Sequence, residues 1–293
     1  MIISNINGGL GNQMFQYAAG RALSLERCDS LRVNVSDFAG CNLHNGFELK
    51  RIFNCAAEMA GEADMRGILG WQSSSCIRRI ILRPSMAVFR RKEFVCEPHF
   101  HYWPEINHVP RDSFLVGYWQ SEKYFKTYAS AVRADFTFTP PLTDVNAELS
   151  EQIARVNAIS LHVRRGDFLS NPVNMNKHGV CPLNYYKEAI SYIAERVEAP
   201  HWFIFSDDMD WVRKNLKIDS PCRHVVHNSG PESYNDMRLM SLCRHHIIAN
   251  SSFGWWGAWL NPGREKIVVA PKRWFNDYAA DTGDLLPEGW VAL

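Results

Sequence analysis

Residues 158–168, Ala-Ile-Ser-Leu-His-Val-Arg-Arg-Gly-Asp-Phe, constrain the fold more than any other stretch, because they read as a buried strand running straight into a charged turn. Side chains alternate along a strand, so Ile159, Leu161 and Val163 share one face while Ser160, His162 and Arg164 share the other. Gly166 permits the sharp turn. A histidine and an arginine then stand together at a strand's carboxyl end, where ligands bind in an open α/β sheet. Adjacent arginines there suit an anion, since guanidinium forks match phosphate oxygens. The competing reading is structural, with Arg165 paired to Asp167 to close a loop.

Two further strand ends in this half carry polar groups. Residues 201–206 form a buried strand that runs into Ser206, Asp207, Asp208, Met209 and Asp210. Asp208 and Asp210 fit an Asp-x-Asp pattern that holds a divalent metal and a nucleotide diphosphate. The same doublet also suits a cap for a helix beginning near Trp211, or a carboxylate reading the N1 and N2 groups of guanine, which needs no metal. Residues 182–197 and 232–246 have helical periodicity, and 247–249 and 266–270 read as short strands. Asn250, Ser251, Ser252 and Phe253 then open a tryptophan-rich helix. Hydroxyls and free N–H groups at a helix N-terminus suit a phosphate; simple capping is the alternative. Trp256, Trp259 and Leu260 fall on one face and are expected in the core. In a parallel sheet the ends at His162, Ser206 and Asn250 converge on one crevice. Its cations, carboxylates and helix end suit a nucleotide diphosphate without a metal.

The N-terminal half opens with a strand over residues 1–6, the loop Gly8, Gly9, Leu10, Gly11 and Asn12, and a helix over residues 13–25. Strand, glycine loop and helix present backbone N–H groups to an anion or a sugar hydroxyl. The spacing is neither that of a dinucleotide fold nor a P-loop. The alternative is a tight turn with Asn12 as helix cap. Residues 30–35 read as the next strand. Within 37–50, a loop with His44 and Asn45, Asp37 and Glu48 are candidate carboxylates near the cleft, with surface solvation the expected fate of each. Residues 76–92 mix Arg78, Arg79, Arg83, Arg90, Arg91 and Lys92 with apolar residues. That pattern suits contact with an anionic membrane through residues 77–92, or a solvated helix face. Pro84 interrupts any continuous helix. His99 and His101 have strand spacing, with Glu105 or His108 as a third group, but a lone His-x-His does not establish a metal site. Residues 114–120 read as a strand ending in Tyr118, Trp119 and Gln120, a stacking platform with an amide for a sugar, or core.

Pro140 and Pro141, in an extended stretch before a helix that starts at Thr143 or Asp144, mark a boundary. The expected domains are 1–141 and 142–293. Lys and Arg total 32 against 31 Asp and Glu, a net charge of +1, which argues against a dedicated nucleic-acid binder. The eight cysteines form no Cys-x-x-Cys pair, so no zinc site is written, and their scatter suits reduced, buried thiols in the cytoplasm. The first residues lack the features of a signal peptide, and no apolar run is long enough to span a bilayer.

The motifs together resemble the bacterial α-1,2-fucosyltransferases of glycosyltransferase family 11, which also includes the animal blood-group H enzymes. The resemblance rests on Gly8-Gly-Leu-Gly-Asn-Gln-Met-Phe-Gln-Tyr17, Gly117-Tyr-Trp-Gln-Ser-Glu-Lys-Tyr-Phe125, His162-Val-Arg-Arg-Gly-Asp167, Phe205-Ser-Asp-Asp208 and Asn250-Ser-Ser-Phe-Gly-Trp-Trp-Gly-Ala-Trp259. Residues 61–97 match none of the family's motifs. The resemblance implies an α/β, GT-B-like fold of two Rossmann-type domains facing a cleft, with mostly parallel sheets. The first domain is the acceptor side, and the closing segment packs back on it. The second domain binds GDP-fucose. The implied reaction is inverting transfer from GDP-β-L-fucose to the 2-hydroxyl of a galactose-terminated glycan, in surface polysaccharide (O-antigen) synthesis. No cofactor or metal is implied, and the expected place is the cytoplasm, peripheral at the inner face of the plasma membrane. His162 would sit on guanine and Arg164 on the diphosphate. Arg165 would be structural, with Asp207 or Asp208 on guanine and Ser251 or Ser252 on the β-phosphate. Asn12, with Gly8, Gly9, Gly11 and Gln13, would lie at the cleft. Asp37, Glu48 and the acidic doublet all qualify as a base on charge alone, and no dedicated base is also open. The rival readings are a metal-dependent GT-A enzyme using Asp208 and Asp210, and a non-catalytic nucleotide- or glycan-binding protein.

Overall fold

The computed structural model describes residues 1–39, 45–56, 58–166, 175, 179–276 and 281–293. The chain divides into two compact units. Unit 1 comprises Met1–Thr139 with Gly283–Leu285, and unit 2 comprises Pro140–Thr282 with Leu286–Leu293.

Unit 1 is built on five parallel strands. They are β1 (Ile2–Asn5), β2 (Leu31–Asn34), β3 (Glu58–Met59), β4 (Phe94–Cys96) and β5 (Ser113–Val116). Their order in the sheet is β3-β2-β1-β5-β4. Helix α1 (Leu10–Glu26) is buried along most of its length. Short helices follow: α2 (Leu49–Ile52), α3 (Glu62–Leu69), α4 (Ser75–Ile81) and α5 (Ala129–Asp135). Met65, Ile68 and Leu69 of α3 and Ile81 of α4 pack on Ile3, Phe94 and Phe114 of the sheet. Parallel strands need a crossover on a sheet face, and the central strands β1 and β5 are correspondingly short and largely buried.

Unit 2 carries six parallel strands: β6 (Asn157–Val163), β7 (Pro200–Ser206), β8 (Cys222–Val225), β9 (His245–Ile247), β10 (Val268–Ala270) and β11 (Val291–Ala292). Their order is β11-β10-β9-β6-β7-β8. The helices are α6 (Asp144–Arg155), α7 (Leu183–Ala194), α8 (Met209–Asn215), α9 (Tyr234–Leu242) and α10 (Ser252–Leu260). The alternation expected around His162 holds. Ile159, Leu161 and Val163 join the core with Tyr186, Ala189 and Trp202.

Several expected boundaries move. Helix α1 starts at Leu10 with Gly9 as its N-cap, so Asn12 lies inside the first turn and is not the cap. The strand expected over residues 114–120 ends at Val116. The helix expected over residues 232–246 stops at Leu242, and His245 and His246 belong to β9. Buried His246 is held there between Ser160 Oγ and Asn261 Nδ2, each at 2.8 Å. Cys181 and Cys243 are buried thiols as expected, but Cys28, Cys76 and Cys222 are exposed.

Candidate functional site

The sheet of unit 2 reverses its winding once. In unit 2 the chain lays β7 and β8 on one side of β6, then returns to place β9 on the other. A reversal of this kind opens a crevice at the carboxyl ends of the two central strands. β6 ends there at Val163, and β9 leads into Asn250, Ser251 and the N-terminus of α10.

His162 lies in this crevice and is buried. Burial first, and the charge of Arg164 second, hold its pKa down to about 4, with Asp207 opposing them. The imidazole is therefore neutral near pH 7. Its buried Nδ1 has no hydrogen-bond partner among the described residues, and buried polar atoms without partners are uncommon. The Phe253 ring stands 6.0 Å away. Gly254 allows α10 this close, since a Cβ there would sit 2.4 Å from His162 Nδ1.

The two arginines diverge. Arg164 Nε is 3.2 Å from Asp207 Oδ2. The other oxygen of Asp207 accepts the backbone N–H of Arg165 at 2.8 Å, which fixes the turn. The Arg165 guanidinium lies 4.0 Å from the centre of the Trp211 ring, with Nε 3.5 Å from Asp208 Oδ2. Arg165 is thus held by Asp208 and Trp211; Asp167 lies outside the described residues. Asp208 Oδ1 also caps α8 by accepting the Trp211 N–H at 3.1 Å, and the Asp208 N–H donates to Ser206 Oγ at 3.0 Å. Asp210 faces solvent and pairs with Arg213 at 3.6 Å. The two carboxylates of the Asp-x-Asp pattern are held by different partners.

Ser251 is the N-cap of α10, yet its side chain makes no capping bond to the helix. The first-turn N–H groups of this nine-residue helix, with the Ser251 and Ser252 hydroxyls beside them, are groups of the kind that suit an anion. Asn250 is a tether. Its amide donates to the carbonyls of Trp274 and Gly179 at 3.1 and 3.4 Å, and its oxygen accepts from Cys181 Sγ at 3.4 Å.

In unit 1, β1 and β5 are neighbours in the sheet. Gln120 Nε2 donates to Asn12 Oδ1 at 2.8 Å, joining the loop after β5 to the glycine loop after β1. Buried Gln13 is a brace. It donates to the carbonyls of Gly8 and Gly46 at 2.9 and 2.8 Å and accepts the Glu48 N–H at 3.0 Å. Gln16 donates to Asn7 Oδ1 and to the Gly117 carbonyl, at 3.0 and 3.1 Å. Trp119 is core and not a stacking platform: it is buried and meets Tyr124 edge-on at 5.4 Å. Tyr118 is exposed and Gln120 is buried.

Glu97, which nothing in the sequence singled out, organises this turn. Its carboxylate oxygens accept the N–H groups of Tyr118 and Trp119 at 2.7 and 3.0 Å. Burial pushes its pKa up to about 7 against the pull of those two bonds. Asp37 accepts from Asn5 Nδ2 at 2.9 Å. It lines a cavity of about 250 Å³ whose wall includes Asn5, Ser75, Arg78 and Arg79. Glu48 is not solvated; it is buried and paired with Arg51 at 3.0 Å. His99 and His101 stack face to face at 3.5 Å instead of converging on one point.

The glycosyl transferase family 11 model matches residues 101–293. An α-1,2-colitosyltransferase of Escherichia coli is 36% identical, over 100% of this chain and 99% of its own length. The O-antigen biosynthesis glycosyltransferase WbnK of Escherichia coli is 32% identical, over 99% of each chain. The galactoside 2-α-L-fucosyltransferase SEC1 of Bos taurus is 27% identical, over 99% of this chain and 73% of that one. Among solved structures, the NodZ α-1,6-fucosyltransferase soaked with GDP-fucose superposes with a TM-score of 0.57 at 16% identity, covering 89% of this chain and 92% of that one. A likeness at that identity speaks to fold alone, and the fold is a two-sheet, GT-B-like α/β architecture. The chain belongs to glycosyl transferase family 11.

Proposed function

We propose that this glycosyltransferase moves L-fucose, with inversion, from GDP-β-L-fucose to the 2-hydroxyl of a galactosyl residue in a surface polysaccharide. The observation that carries the reading is neutral, buried His162, whose Nδ1 has no hydrogen-bond partner among the described residues, together with Arg164 and the N-terminal end of α10. A neutral imidazole suits a nucleobase edge, and the arginine with the helix end suits a diphosphate. As the C1–O bond breaks, its electron pair goes to the β-phosphate oxygen. Arg164 and the Ser251–Ser252 end stabilise that growing charge. The acceptor O2 bonds to C1 from the opposite face and gives up its proton. That proton passes to a carboxylate or to water, and no dedicated base is assigned. No metal or cofactor enters the proposal.

A second donor has a specific reason behind it. The relative at 36% identity is a colitosyltransferase, and colitose is fucose without the 3-hydroxyl. Purified protein with GDP-fucose, lactose and a chelator, its product read by NMR, tests the reading; GDP-colitose is run in parallel. An α-1,2-linked fucosyl-lactose supports it, and transfer of colitose alone replaces the donor. GDP that fails to bind would overturn the reading of the His162 crevice. A peripheral place at the inner face of the plasma membrane, through residues 77–92, belongs to the same proposal. Among the described residues no helix is long and apolar enough to cross a membrane.

A further inference from the structure

We infer that the surface around α4 and the turn after it is a docking face for an anionic lipid bilayer. The inference deepens the peripheral placement proposed above by assigning the residues that insert and those that meet headgroups.

Charge comes first. Between Asp64 and Glu93 the chain has no acidic residue but carries Arg66, Arg78, Arg79, Arg83, Arg90, Arg91 and Lys92. Three of these have local partners, Arg91 among them through Glu93 at 3.2 Å. Arg78 is buried and bonds to the Ser73 carbonyl and to Ser36 Oγ. Arg90 clamps the end of α4 by donating to the carbonyls of Ile81, Leu82 and Arg83. Arg66, Arg79, Arg83, Arg91 and Lys92 remain exposed.

The same segment exposes apolar side chains that the core does not take up. Val88 is 84% exposed, Trp71 61% and Phe89 58%, with Ile80 and Leu82 also outside. They belong to one surface, because buried Gln72 donates to the Phe89 carbonyl at 2.7 Å and accepts the Arg91 N–H at 3.3 Å. Arg90 ties that strip to residues 81–83. Large exposed apolar groups rimmed by cations are what a headgroup layer over acyl chains accepts. Tryptophan and phenylalanine suit that boundary, and each nearby cation adds attraction to anionic lipid. Helix α4 carries both functions, since Arg78 and Arg79 also line the Asp37 cavity. Docking by this face would hold that cavity at the membrane surface, where a lipid-anchored glycan would present its sugar.

The test needs no sugar nucleotide, so it stands or falls separately from the transferase assay. The protein is sedimented with sucrose-loaded vesicles of phosphatidylcholine alone and of about three parts phosphatidylcholine to one part phosphatidylglycerol. Binding is expected only to the anionic vesicles, and it should fall as salt rises from ~0.05 to ~0.5 M. Arg83→Gln and Lys92→Gln should each weaken it about fivefold, and Trp71→Ala with Phe89→Ser about tenfold or more. Circular dichroism and turnover of a soluble acceptor should be unchanged in these variants. Equal sedimentation with both vesicle types, or full binding by the Trp71–Phe89 variant, would overturn the inference. So would a concentration-dependent dimer in the absence of lipid that the Trp71–Phe89 variant abolishes.

Discussion

Glu97 accepts the backbone N–H of Trp119 at 3.0 Å and holds that residue in a left-handed conformation with φ of 56°. Few non-glycine residues adopt that region without a partner to fix it. The bond turns the indole into the core and leaves Gln120 to reach Asn12. A carboxylate just past edge strand β4 thereby positions the Asn12 amide in the first turn of α1.

Glu97→Gln should lower kcat/KM about tenfold, because an amide cannot accept both N–H groups and one is left unsatisfied. The wild type should lose activity as pH falls through about 7, where this carboxyl takes up its proton, and the variant should lack that limb. Stability runs the other way. The group titrates near 4.5 when unperturbed and near 7 in the fold, so between these values the native state binds the extra proton. Its contribution to stability therefore declines from pH 4.5 to 7 and is level above. Rate profiles and urea melts across that range check both signs.

Gly117→Ala should disturb the same turn without touching a charge. The new Cβ would lie 2.4 Å from Glu97 Cβ and 2.7 Å from its Oε2. Turnover should fall by about as much as in Glu97→Gln, roughly 1–3 kcal/mol of lost positioning, while GDP affinity measured by calorimetry stays unchanged.

Arg164→Ala should reduce kcat ten- to a hundredfold or more, since charged hydrogen bonds contribute about 1.5–3 kcal/mol and the leaving group gains charge in the transition state. Arg164→Lys should rescue little, because a point charge does not reproduce the fork. Near-normal turnover in Arg164→Ala would remove this residue from the mechanism.

His162 should stay neutral at every working pH. Its pKa near 4 means that the unfolded chain, titrating near 6.5, binds the extra proton between those values. The stability it contributes is present above 6.5 and is lost as pH falls toward 4. In a histidine NMR titration buried His246 should also lack a transition near 6.5, and the His162 ring should show none there. In Arg164→Ala that ring should titrate higher but still below 6.5, because burial is the larger cause.

Gly254→Ala should weaken GDP binding about tenfold or more, since a Cβ 2.4 Å from His162 Nδ1 must push α10 or the imidazole aside. Calorimetry with GDP measures this directly, and the urea midpoint should move far less than the affinity.

The donor crevice was legible because its parts are local. Strand alternation put His162 beside Arg164, and the Ser251–Ser252 helix end follows its strand by a few residues. The turn in unit 1 was not, because its bonds are long-range: Asn12 and Gln120 lie 108 positions apart, and Glu97 precedes Trp119 by 22. Trp119 read as a platform because a strand carried past Val116 would turn it outward, whereas the left-handed residue sends it inward. His245 and His246 were placed in a helix because no glycine or proline interrupts residues 232–246. Tertiary pairing with β6 and β10 overrides that local pattern.

The short return of Gly283–Leu285 to unit 1 bears on how the molecule is made. Asp284 accepts the Tyr102 N–H at 3.1 Å, pairs with Lys123, and offers its carbonyl to Ser121 Oγ at 2.6 Å. A ribosome releases the first half of the chain long before it reaches Asp284. The nascent unit must wait with these groups on water, and its latch closes only once Asp284 has emerged. Release of residues 1–139 alone would give a folding unit permanently short of that latch.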